Sequence, residues 1–262
     1  IPVTLTSFWL EQEILEFNPA LIHIDNVLIH LGNVLLLARL LNLINLPAFT
    51  SLFVALCFAV HPLQAEPVLW LSDRKSLLNG TGLCLSLLCY RRFTMPTEPR
   101  RTLWFTGYCA AYLCSLLCKA TTLLLPFGLV VFEWLICRQH FGKRRLYQLI
   151  PITLACAFGG LRMYALAAHV GIGSSVILSP ARWLTAIAAS LTAIGHYVKA
   201  FFWPLELSPF YANYDAFPHA TLLALAGASV LGFWVTVALR TRSALPWTSL
   251  LVFPIFLVPV LP

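Results

Sequence analysis

Val60-His61-Pro62-Leu63-Gln64-Ala65-Glu66-Pro67-Val68-Leu69-Trp70-Leu71-Ser72-Asp73-Arg74-Lys75 places a His, a Gln, a Glu, an Asp, an Arg and a Lys within sixteen residues, between two apolar segments. Ionisable groups next to hydrocarbon are costly, so a cluster of them there marks a site to which function is assigned first. The rest of the chain supports that setting. Of its 262 residues, 60% are hydrophobic and 10% charged, and the mean hydropathy is +0.83. Soluble domains carry about 25% charged residues. Repeated apolar runs of near-spanning length exclude a single buried core and predict an all-α polytopic membrane protein.

Working outward, residues 3–17 hold Glu11, Glu13 and Glu16 and are too acidic to span. Leu5, Phe8, Trp9, Gln12 and Leu15 fall at helical spacing, which predicts an interfacial helix ended by Asn18-Pro19. The first span follows at about 20–41. On it His23, Asn26, His30 and Asn33 share one face, and a polar stripe in lipid must turn towards protein or water. Interhelical hydrogen bonding is the plainer reading for Asn26 and Asn33. Further spans are expected at about 47–61, 76–90, 103–118, 120–137, 147–167, 219–239 and 246–262, about eight in all. As a single helix, 103–137 would be roughly 52 Å long against a ~30 Å hydrocarbon core, so two spans meeting at Lys119 are predicted.

The basic residues set the orientation. Arg39, then Arg91-Arg92 with Arg100-Arg101, then Arg138 with Lys143-Arg144-Arg145 alternate onto one face, expected to be cytosolic, with Arg240 and Arg242 after them. The net charge of +7 is therefore positive-inside patterning and excludes nucleic acid as a partner. To keep Arg240 and Arg242 inside, residues 182–203 are expected to form a re-entrant or interfacial helix, with Trp203, Tyr211 and Tyr214 as interfacial aromatics. The eight Cys lie mostly in apolar runs without a CxxC pair, which predicts neither zinc nor a disulfide framework. Asn79-Gly80-Thr81 spells a glycosylation sequon but opens a membrane helix, so it reads as chance.

On this topology His61, Glu66, Asp73, Arg74, Lys75 and Lys119 gather on the extracytosolic face. Such cations suit a lipid-linked phosphate, whose charge sits at the headgroup boundary. The alternative is that Arg74 and Lys75 pair with Asp73 or Glu66 and snorkel. Tyr108, Tyr112, Ser115 and Lys119 line one helix face leading to the same region, where ordinary packing is again the plainer reading for the two Tyr.

The block His61-Pro62…Glu66…Val68…Trp70…Arg74-Lys75…Leu78 resembles one in the transmembrane and tetratricopeptide-repeat-containing O-mannosyltransferases and their bacterial relatives. So, in order, do Pro2-Val3-Thr4…Ser7-Phe8, Asn18-Pro19…His23…Asn26…His30…Asn33, Cys118-Lys119…Leu125-Pro126 and Tyr197…Trp203-Pro204…Leu207-Ser208. The resemblance implies a C-type glycosyltransferase bundle. It would transfer a sugar, mannose or a similar hexose, from a dolichyl- or undecaprenyl-type phosphate to an acceptor hydroxyl, a protein Ser or Thr.

Under that resemblance residues 1–262 are a partial transmembrane domain: an outer interfacial helix at 1–19, six spans in 20–167, an outer loop at 168–218 and two spans in 219–262. The family's first span, its catalytic loop with paired Asp residues and its C-terminal repeats are expected outside the given residues. The catalytic base is therefore expected upstream of Ile1, supported by Glu66 and His61, and the fragment alone is expected to be inactive. Arg74, Lys75 and Lys119 are expected to bind the donor phosphate, and His23, Asp73, Tyr112, Tyr211 and Asp215 to line the site. Two departures stand out, Ala120 and Ser76 where the family often has acids; Asp73 is placed to substitute for one. No metal ligand set is expected. The expected location is a bacterial inner membrane, or the endoplasmic reticulum in a eukaryote. A transporter or lipid flippase and a non-catalytic membrane scaffold are the competing functions.

Overall fold

The computed structural model describes residues 2–16, 18–136, 144–170, 180–204 and 220–241, and every regular element among them is helical. The chain divides into two compact units, 1–122 and 123–262.

The first unit begins with α1 (Pro2–Leu15) and α2 (Pro19–Leu43). Glu16 adopts a left-handed backbone (φ 50) that ends α1, and the Asn18 side chain accepts the Ala20 N–H to start α2 beside Pro19. The sequence thus punctuates this corner as expected. Next comes α3 (Ala48–Val60), then a 3-10 turn, Pro62–Gln64, and the short α4 (Ala65–Leu69), which bends 55° away from α3. A second 3-10 turn, Leu71–Asp73, delivers the chain to α5 (Arg74–Thr94), followed by α6 (Arg101–Cys118). At Lys119 the backbone is extended, so the predicted break inside 103–137 falls there, and the 3-10 turn Ala120–Thr122 closes the unit.

Contacts at both ends give the layout of these helices. Ile22 and Asn26 at the start of α2 meet Arg74 at the start of α5, while Arg91 near the end of α5 donates to the Leu43 carbonyl at the end of α2, at 3.3 Å. These two helices therefore run parallel. By contrast α6 runs antiparallel to α5, since Phe93 stacks with Phe105 at one end and Asn79 bonds Ser115 at the other. A Cβ on Gly82 would lie 2.8 Å from Ser115 Cβ and 3.0 Å from the Ala111 carbonyl, so a residue without a side chain lets α5 and α6 approach this closely.

The second unit contains α7 (Leu125–Ile136), α8 (Arg144–Val170), α9 (Pro180–Phe202) and α10 (Ala220–Thr241). α9 packs on α10 through Gly195 and Gly227, whose Cβ positions would fall 1.9 Å from the Leu223 carbonyl and 2.2 Å from the Leu191 carbonyl.

One expectation changes. Among the described residues only α2 and α10 are long and apolar enough to cross a membrane singly; α3 with 62–69 adds a third only if the bent pair is one crossing. The predicted eight are not reached. α3 has 13 residues against the ~20 a span needs, and charges at both ends of α5 leave only 76–90 between them. The predicted span 246–262 lies outside the described residues. The segment at 182–203, expected as a re-entrant or interfacial helix, is one continuous 23-residue helix, α9.

On α1 the residues at the predicted apolar spacing divide, Phe8 lying against Arg74 while Leu5 and Trp9 are exposed. Thr4 is buried, Glu11 points inward, and Leu5, Trp9, Leu10 and Ile14 are exposed. The buried charge on α5 sets the inward face here, since Glu11 goes to Arg74.

Candidate functional site

The opening stretch of the sequence sits at the end of the first unit where α2 and α5 begin and α6 ends. Arg74 lies at its centre and is 1% exposed. Its Nε donates to Asn26 Oδ1 at 2.7 Å, and one terminal nitrogen donates to the Ile22 carbonyl at 3.0 Å. The other terminal nitrogen pairs with Glu11 Oε1, and the guanidinium lies over the Phe8 ring at 4.6 Å from its centre. The acid opposite Arg74 is thus Glu11, 63 residues away, and neither Asp73 nor Glu66. Burial raises the Glu11 carboxyl above its ordinary value and the neighbouring Asp25 pushes the same way, while Arg74 pulls it down.

A second polar chain runs beside it and reaches the surface. Lys119 Nζ donates to Ser76 Oγ at 2.8 Å, Ser76 Oγ donates to Asp73 Oδ1 at 2.9 Å, and Lys75 Nζ stands 3.9 Å from the same carboxylate oxygen. Asp73 is buried, whereas Lys75, Ser76 and Lys119 are half-buried. Ser76, where the resembling family often has an acid, here carries the hydroxyl that links a lysine to a carboxylate. Glu66 is exposed on α4, and burial of part of its carboxyl, then Asp73, raise it above the usual range against the pull of Lys119 and Lys75. His61 is half-buried, and its Nδ1 accepts the Leu63 N–H at 3.2 Å, capping the turn that leads into α4.

Asn79, set aside as a chance sequon, is the polar hub of this end. Its two amide N–H groups are shared among four acceptors within reach, the Ser115 carbonyl (3.0 Å), Ser115 Oγ (2.9 Å), the Lys119 carbonyl (3.0 Å) and Thr122 Oγ1 (3.3 Å), and its Oδ1 accepts from Thr121 Oγ1 at 2.9 Å. It holds the backbone of Lys119 where the side chain can reach Ser76. Ser115, Thr121 and Thr122 at mixed spacing were the available signal, but only the α5–α6 crossing brings them together.

The stripe on α2 divides. Asn26 donates to the Val68 carbonyl at 3.3 Å, His30 Nε2 lies 3.0 Å from the Ala59 carbonyl, and Asn33 donates to the Leu77 carbonyl at 2.9 Å while accepting from Thr81. Asn26 and His30 meet carbonyls at the ends of α4 and α3, where the helices break and leave acceptors free, and Asn33 ties α2 to the first turn of α5. His23 is exposed and stands outside this stripe; Ile22, 0% exposed, takes the buried position in that first turn. Tyr112 is 0% exposed and stacked on Tyr108 at 6.4 Å, within the core between helices. Tyr211 and Asp215 lie outside the described residues.

Among the described residues no three His, Cys, Asp or Glu side chains converge as a metal-binding set, and the seven described cysteines carry no disulfide. No family model, curated protein or solved structure matches the chain.

Proposed function

We propose that this chain carries the donor-binding side of a polytopic glycosyltransferase, which moves a sugar from a polyprenyl phosphate to an acceptor hydroxyl, a protein Ser or Thr, on the extracytosolic membrane face. One observation carries the reading: Lys75 and Lys119, both partly open to solvent, meet through Ser76 and Asp73 at the end of the first unit opposite the arginines of α5 and α6. Two ammonium groups and a hydroxyl at a helix N-terminus match a phosphate monoanion or diester at headgroup depth. The ordered resemblance to O-mannosyltransferases supplies the chemistry.

In this reading the acceptor hydroxyl attacks the anomeric carbon as a carboxylate base takes its proton, and the C–O bond to the lipid phosphate breaks with its electron pair left on the phosphate. Lys75 and Lys119 neutralise that developing charge, and Asp73 keeps the two lysines in register. Glu66 and His61 stand on the connecting segment where donor or acceptor would be oriented. The base belongs to the paired-acid loop that the resembling family carries before the segment matching residue 1. The stripe Asn26–His30–Asn33 gives little support to a transporter path, since these side chains are already bonded to backbone carbonyls.

The test is transfer from a polyprenyl-phosphate hexose by the full-length protein in proteoliposomes. Lys119→Ala and Lys75→Ala should each lower the rate about 10²–10³-fold with the fold intact. Unchanged transfer in both variants would reject the assignment. A full-length protein that transfers no sugar while the cluster proves dispensable for its cellular role would favour the scaffold.

A further inference from the structure

We infer that α1 is a displaceable strap and that Glu11 occupies the place of an anionic phosphate on Arg74, an autoinhibitory contact that a lipid phosphate exchanges. The inference rests on the phosphate-binding reading above and adds to it a third cation and a gate.

The geometry of Arg74 divides into a fixed part and an exchangeable part. Nε is tied to Asn26 and one terminal nitrogen to the Ile22 carbonyl, both on α2. Those bonds aim the remaining terminal nitrogen at whatever anion lies in front of it, and at present that is Glu11. Lifting α1 would leave the guanidinium oriented, with one side of its fork open. Carboxylate and phosphate are the two anions that match this fork, and they compete for it. With 1% of Arg74 exposed, no phosphate reaches it while Glu11 is in place.

On the other side of the pair, Glu11 is poorly satisfied. Its Oε2 is buried without a hydrogen-bond partner. A buried acceptor left unpaired weakens the hold of α1 on the bundle. The strap also has somewhere to go. Leu5, Trp9, Leu10 and Ile14 already face outward, so α1 keeps its apolar contact with lipid when it moves. Glu16, in the left-handed region, ends α1, so that it is a helix separate from α2. At the other end Thr4 lies against Cys118 of α6, which supplies a place to lock the strap.

Binding of polyprenyl phosphate to the full-length protein in nanodiscs tests this, with inorganic phosphate as a parallel probe to separate a lipid headgroup from free phosphate. Glu11→Gln should tighten lipid-phosphate binding about tenfold, the effect of removing one competing charge-assisted bond. Oxidising Thr4→Cys to native Cys118 should weaken it by a similar factor, restored by reductant and absent when Cys118→Ser is added. Lipid-phosphate binding that responds to Lys119→Ala but not to Glu11→Gln or to the disulfide overturns the strap and leaves the donor site standing. No binding of polyprenyl phosphate by any variant overturns both. Inorganic phosphate responding as strongly as the lipid form would keep the gate and reassign its ligand to free phosphate.

Discussion

Replacing Asn79 by Ala is the sharpest probe of the first unit, and its cost can be followed bond by bond. The Ser115 carbonyl loses the Asn79 amide but still accepts the Lys119 N–H at 3.0 Å. Ser115 Oγ keeps the Asn79 carbonyl and Thr122. Thr121 is half-buried, so its hydroxyl can turn to water. The Lys119 carbonyl is the group that loses its bond to Asn79 in a partly buried place. Orphaning one such acceptor costs about 1–3 kcal/mol. The vacated space behind a residue 7% exposed adds roughly 1 kcal/mol. The expected loss is therefore about 2–4 kcal/mol, with Asn79→Asp costing more because a carboxylate would face the Ser115 and Lys119 carbonyls. Denaturant unfolding of the protein in detergent micelles, with both variants beside the parent, measures it. A change below about 0.5 kcal/mol for Asn79→Ala would refute the hub, placing it with ordinary surface substitutions. Asn79 should also remain unglycosylated in a glycosylating host, since its amide is buried and fully engaged.

Two other perturbations have definite signs. Gly195→Ala and Gly227→Ala each press a Cβ into a backbone carbonyl that cannot rotate away, and should destabilise the α9–α10 pair by about 1–3 kcal/mol, seen as a lower Tm in detergent. Gly232→Ala on α10 meets open space and should be neutral or stabilising by up to about 1 kcal/mol, which makes it the control. For Glu66, a carboxyl raised in the folded state binds its proton more tightly there than in the unfolded chain, so stability falls as pH rises from the ordinary glutamate value through the raised one. Tm measured from pH 4 to pH 8 should carry that downward contribution in the parent, and Glu66→Gln should remove it; an unchanged slope would be the contrary result.

Much of the fold was legible in the chain because lipid-facing helices follow local rules. Composition called for helices, Asn18-Pro19 marked the first corner, and the extended backbone at Lys119 fell where helix length demanded a break. The number of crossings was not legible in this way. Apolar runs predict spans, but α3 stops after 13 residues because the chain turns at His61 and Pro62.

The opening stretch 60–75 likewise announced a site by its charges alone. What it could not announce was which charges face each other. Sequence neighbours offered Asp73 and Glu66 as partners for Arg74, yet an arginine that begins a helix points across its neighbours, and the parallel packing of α2 on α5 under α1 brings Glu11 to it. The same packing leaves Lys75 and Lys119 as the accessible cations and makes Asn79 a hub. Periodicity within one segment sets which residues share a face; which of those faces meet, and so which charge is spent on structure and which stays open, is a property of helix crossings between residues 40 to 63 positions apart.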